Sequence, residues 1–89
     1  MRKCPKLGDR VFYRSPEDTY ASWRSDGLTG TVRAIYPSYV YDDERDQPTN
    51  TLEPESEWAV GVEVDQVPDG WPYPHTNRFA PEVKRLKRL

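Results

Sequence analysis

The segment Trp58-Ala59-Val60-Gly61-Val62-Glu63-Val64-Asp65 admits one regular structure. Trp58, Val60, Val62 and Val64 fall on one side of an extended chain, and Ala59, Gly61, Glu63 and Asp65 on the other. A slip of one residue would bury two carboxylates, so the segment reads as a strand with a strongly set register. Gly61, on the outer side, marks a sharp bend or the close approach of another backbone. Nine prolines and five glycines among 89 residues cut the rest into short pieces. No piece repeats apolar residues at helical spacing for long enough to sustain a helix.

The other pieces also read as strands. Leu7-Gly8-Asp9-Arg10-Val11-Phe12-Tyr13 alternates, with Leu7, Val11 and Tyr13 on one side and Arg10 and Phe12 on the other. Ser15-Pro16-Glu17-Asp18 is a turn or the cap of one helical turn through Trp23, and Asp26-Gly27 signals a tight turn. Leu28 to Tyr36 forms the second strand, with Leu28, Val32 and Ala34 inward. Ile35 breaks that alternation, which implies a bulge at this point or cover on both faces. Arg78 to Leu86 reads as a strand end, a 3-10 turn at Pro81 and a short closing strand. Two stretches lack periodicity. Residues 37–57 are acidic and proline-bearing, a long loop of the kind that is functional or disordered. Residues 66–77 include Pro68, Pro72 and Pro74, which favour extended, polyproline-like backbone with Trp71 and Tyr73 projecting from it.

Together these pieces predict an all-β chain forming a single domain over residues 1–89. Four or five short antiparallel strands would close, or nearly close, into a small barrel, since closure removes exposed sheet edges. Its core would hold Leu7, Val11, Tyr13, Leu28, Val32, Trp58, Val60, Val62, Phe79 and Leu86. Gly8-Asp9-Arg10-Val11, Gly27-Leu28-Thr29-Gly30-Thr31-Val32, Trp58 to Asp65, and Phe79-Ala80-Pro81 with Val83 and Leu86 resemble, in that order, the CAP-Gly domain. The first two motifs are also similar to the KOW module. Both resemblances imply a Src-homology-three-like barrel, here with a long acidic loop and a short 3-10 turn near the C-terminus. CAP-Gly domains hold acidic tails with a Gly-Lys-Asn-Asp-Gly loop after this strand. Here Gln66-Val67-Pro68-Asp69-Gly70-Trp71 keeps only Asp69-Gly70, so the resemblance carries the fold and not that ligand.

Charge is unevenly distributed behind a formal total of −2. Residues 1–39 carry a net +3, residues 40–70 a net −9 and residues 71–89 a net +4. No apolar run approaches the roughly 18 residues of a membrane span, so no membrane partner is expected. Cys4, the one cysteine, allows no internal disulfide and fits a reducing, cytoplasmic setting. Catalysis requires titratable groups converging in a pocket. His75 is the one histidine and lies in a proline-rich stretch; Cys4 precedes the first strand. No catalytic residue, cofactor or metal is therefore expected, and the chain reads as non-enzymatic.

Binding is the better class. Tyr36, Tyr39, Tyr41, Trp71 and Tyr73 exceed what so small a core accommodates, and exposed Trp and Tyr favour interfaces. One reading is a protein- or peptide-binding module using Trp71 and Tyr73, with Phe12, Trp23, Tyr39 and Tyr41, and the acidic loop for charge complementarity. The bland alternative lays Trp71 and Tyr73 over a barrel end as a lid. The other class is a nucleic-acid-binding, KOW-like barrel using Lys and Arg of the N- and C-terminal segments on the backbone (Arg2, Lys3, Lys6, Arg10, Arg14, Arg24 and Arg33 with Arg78, Lys84, Arg85, Lys87 and Arg88), with aromatics stacking bases. The near-neutral total counts against it. A third idea, that the acidic segment imitates a polyanion, has little regular spacing behind it.

Overall fold

The computed structural model describes residues 1–14 and 27–89. Among them are seven strands: β1 (Arg10–Tyr13), β2 (Leu28–Tyr36), β3 (Tyr39–Asp42), β4 (Gln47–Leu52), β5 (Ala59–Val64), β6 (Arg78–Phe79) and β7 (Leu86–Arg88). Two 3-10 turns lie at Glu55–Glu57 and Val83–Arg85. Trp23, Arg24, the Ser15–Asp18 turn and Asp26 lie outside the described residues. Five strands form an antiparallel sheet in the order β6-β5-β2-β1-β7, and β3 and β4 form a separate hairpin.

The valines of β5 face inward as expected, but Gly61 on the other side is buried too, covered by Ala34 and the Tyr36 ring. Val60, Val62 and Val64 are buried, and with Val11, Tyr13, Leu28, Val32, Val83 and Leu86 they make the core. β5 lies against β2 with Val32 opposite Val62 and Gly30 opposite Val64. That close approach explains Gly30: a Cβ there would stand 2.5 Å from the Glu63 carbonyl oxygen and 2.6 Å from Val62 Cγ1. Trp58 does not belong to the strand. It follows the first 3-10 turn, half-buried against the core, and its indole N–H donates to the Glu53 carbonyl at 2.9 Å.

Several expectations are corrected. Leu7 is 64% exposed rather than core. The strand starts only at Arg10, because residues 6–9 make a turn closed by Lys6 N–H donating to the Asp9 carboxylate (2.8 Å) and Asp9 N–H to the Lys6 carbonyl (3.0 Å). The bulge in β2 falls between Val32 and Ala34, earlier than Ile35. It reverses the parity, turning Ala34 outward opposite Gly61 and Ile35 inward opposite Val60. What comes close to Gly61 is then side chain, Ala34 and the Tyr36 ring, not backbone. The C-terminal 3-10 turn begins at Val83 rather than Pro81, which sends Val83 into the core.

The largest correction concerns residues 37–57, expected as a structureless loop. β3 and β4 pair across them, with Tyr39 opposite Leu52, Tyr41 opposite Pro48 and Asp42 opposite Gln47. The turn is built by Asp42, whose carboxylate accepts the Glu44 and Arg45 N–H groups, and by Asp46 in the left-handed region at φ 54°. Ladder closure is also not met. β6 and β7 are the two edges of the five-stranded sheet, and no pairing joins them among the described residues. At only two and three residues they are too short to zip together. Instead the Met1 ammonium donates to the Leu86 carbonyl on the β7 edge.

Candidate functional site

The expected binding residues divide into two groups that the fold keeps apart. Trp71 and Tyr73 belong to a lid at one end of the core. The ring of Trp71 stands edge-on to Tyr73 (centroids 5.2 Å) and to Phe79 (5.6 Å), and Phe79 stands edge-on to Tyr13 (5.1 Å). Such T-shaped pairs set the positive ring edge against the negative face. The Trp71 indole N–H donates to the Thr76 carbonyl at 2.9 Å. The stretch is folded by turns, Trp71 N–H to Pro68 C=O and Thr76 N–H to Tyr73 C=O, rather than extended as its prolines suggested. Trp71 thus packs on the core, while Tyr73 keeps an exposed edge beside a groove of about 240 Å³ that includes Phe79, Pro81, Glu82 and Arg85. Phe12 does not join this cluster. It lies opposite Thr29 and Lys87, on the other side of β1 from Tyr13.

Tyr39 and Tyr41 form the second group, on the hairpin arm. Each is 50% exposed, and Val40 and Leu52 beside them are exposed as well. Tyr39 and Leu52 are directly paired, and Tyr41 follows two residues on, so one face of the ribbon carries Tyr39, Leu52, Tyr41 and Pro48. Tyr36, exposed at the end of β2, stands at its base. β3 and β4 pack chiefly on each other. Negative charge surrounds this surface: residues 37–57 hold seven carboxylates and Arg45 alone as base. The Tyr41 hydroxyl donates to the Asp46 carboxylate, which pushes the phenol pKa up. Asp42 pairs with Arg45 at 3.7 Å. Asp43 and Glu44 have no ion-pair partner among the described residues. At the base, Glu57 is paired with Lys84 and Glu55 accepts the Cys4 N–H, and burial with the nearby Glu55 charge pushes the Cys4 thiol pKa up.

Six of the twelve described Lys and Arg residues are ion-paired within the molecule, while Arg2, Lys3, Lys6, Arg14, Arg85 and Lys87 have no carboxylate partner among the described residues. Arg33 and Arg78 share Glu63 (3.5 and 3.2 Å), Arg88 meets Asp9 at 3.3 Å, and Lys84 lies 3.2 Å from both Glu57 and Glu82. Those two carboxylates raise the Lys84 pKa. Arg10 clasps Asp65, which also accepts the Thr29 hydroxyl, and its carboxyl is held down at about 2. Among Arg33, Lys84, Arg85, Lys87 and Arg88, only Arg85 and Lys87 have no carboxylate partner among the described residues. They do not adjoin: Arg85 lines the Tyr73 groove, and Lys87 lies across from Phe12 on the sheet's outer face.

Sequence reasoning missed Val40 and Leu52. The signal was present in Tyr39-Val40-Tyr41, three strand-forming residues directly before the turn-forming Asp42 to Asp46. Compared with protein-family models, curated proteins and solved structures, the chain matches none.

Proposed function

We propose that this chain is a non-enzymatic interaction module that offers the β3–β4 arm to a basic protein or peptide partner. One observation carries the reading. The exposed side chains of Tyr39, Tyr41 and Leu52 share one face of the arm, with Val40 exposed on the other, and next to them Asp43 and Glu44 have no ion-pair partner among the described residues. Trp71, the other strong anchor, is committed to packing. Aromatic anchors supply most of the energy of such interfaces, and the surrounding charge governs encounter and selectivity.

The scaffold beneath the arm fits a Src-homology-three-like barrel of CAP-Gly or KOW type that stays open between β6 and β7. The free thiol of Cys4 fits work in the reducing cytoplasm. Nucleic acid is the less supported ligand, because Arg33, Lys84 and Arg88 are each occupied by a carboxylate. The deciding experiment is partner capture with Tyr39→Ser/Tyr41→Ser beside the unaltered chain. Losing two aromatic anchors should weaken capture by about tenfold or more, with an unchanged melting temperature. Undiminished capture by that variant removes the reading.

A further inference from the structure

β3 has an open side as well as an open face. Its one ladder is with β4, and no strand lies along its other edge among the described residues. Residues of an antiparallel pair alternate between exchanging hydrogen bonds with the partner and turning N–H and C=O away from it. The Glu53 N–H donates to the Ser38 carbonyl at 2.8 Å, which makes Tyr39 opposite Leu52 one of the positions turned away. The Val40 carbonyl points inward, where it accepts the Thr49 hydroxyl at 2.7 Å. Tyr41 returns to the outward set, opposite Pro48, which has no N–H to give. The outer edge of β3 therefore presents the backbone groups of Tyr39 and Tyr41.

Exposed edges are ordinarily blunted by proline, lysine, a bulge or a covering segment. β4 has such a device in Pro48, and the irregularity of the ladder also falls there, since Leu52 to Pro48 spans four steps against two from Tyr39 to Tyr41. β3 has none. Its residues Tyr39-Val40-Tyr41 are strong strand formers, and a two-stranded ribbon standing alone is marginal until a third strand joins. Charge decides which strand. A second copy of the arm would bring a like excess of carboxylates against Asp43 and Glu44, whereas lysine or arginine next to that turn would find two anions without an ion-pair partner among the described residues.

We propose that β3 receives an extended, Lys/Arg-bearing segment of a partner protein as the third strand of the arm, bonded to the backbone of Tyr39 and Tyr41. This rests on the arm being the partner-binding element, and deepens that reading by specifying backbone pairing as the mode of capture. The test titrates the full chain, isotope-labelled for NMR, with short synthetic peptides. The parent probe has a Val-Thr-Val centre flanked by lysines. Companion probes replace lysine by glutamate, or carry N-methyl groups on one or the other alternate set of backbone amides.

Expected are slowed exchange of the Tyr39 and Tyr41 amide protons, weaker binding of the glutamate probe, and a loss of about tenfold for one N-methylated probe but not the other. Absence of binding by the lysine probe, equal behaviour of the two N-methylated probes, or equal binding of the glutamate probe overturns the proposal. If both N-methylated probes bind like the parent while Tyr39→Ser/Tyr41→Ser abolishes binding, strand addition falls and the arm remains the binding surface. If the lysine probe binds that variant unchanged, both fall.

Discussion

Gly30 and Asp65 show how differently single residues matter in a fold this small. At Gly30 the obstacle to a side chain is the backbone of β5, which cannot swing aside as a flexible side chain could. Gly30→Ala is expected to lower unfolding free energy by about 2 kcal/mol or more, as overpacking against fixed atoms does, and urea denaturation measures it. Asp65 acts through charge. Its carboxyl, ordinarily near 3.8, is held at about 2 by the Arg10 guanidinium and the Thr29 hydroxyl. A carboxyl depressed in the folded state contributes stability that is complete above its unfolded value and lost as pH falls through the folded one. Acid unfolding should therefore show a component between about pH 4 and 2 that Asp65→Asn removes. If the variant's acid transition superimposes on that of the parent chain, the clasp contributes nothing. The site is exposed, so the effect is one of shape in the pH curve rather than of large size.

Among elements, the arm and the five-stranded sheet are built by different means. The sheet owes its strands to alternating valines facing one core, a pattern readable without coordinates. The arm has no buried face, so no alternation of apolar and polar residues announced it, and prolines at 37, 48 and 54 argued for a loop. What makes it a hairpin is turn chemistry, through the Asp42 carboxylate and the left-handed Asp46. An element held by its own ladder rather than by the core should be separable from it. Replacing residues 39–52 by a short glycine-serine link is expected to leave the melting temperature within a few degrees and to abolish partner capture. A collapse of the melting transition would show that the arm supports the sheet after all. Hydrogen exchange should show the same division, fast along β3 and β4 and slow in β2 and β5.

At the scale of the whole molecule, the lid and the ion pairs decide what remains available for a partner. Trp71 closes one end of the core through Phe79 and Tyr73, so Trp71→Ala should destabilise the chain by about 2 kcal/mol, less than a fully buried tryptophan would cost. Thermal melting checks this, and an unshifted melting point would return Trp71 to the candidates for direct contact. The internal ion pairs leave the tip of the arm as a compact source of uncompensated charge. Salt should then slow association modestly, while Tyr39→Ser speeds dissociation, a division that stopped-flow kinetics resolves. A steep log–log fall of affinity with salt would point instead to phosphate contacts.

The amino-acid sequence alone determined the all-β class, the register of β5 and the span of β2, because burial of valine against exposure of carboxylate leaves a strand no second choice. It also determined that aromatic residues outnumber the places for them inside. Which aromatics stay outside was decided only by the tertiary structure. Trp71 is drawn over the core by Phe79, a residue it meets only once β6 lies beside β5, and Tyr39 and Tyr41 are carried away from the core by a hairpin with no core side at all. Contacts between residues far apart in the chain set these outcomes, and local patterning has no access to them.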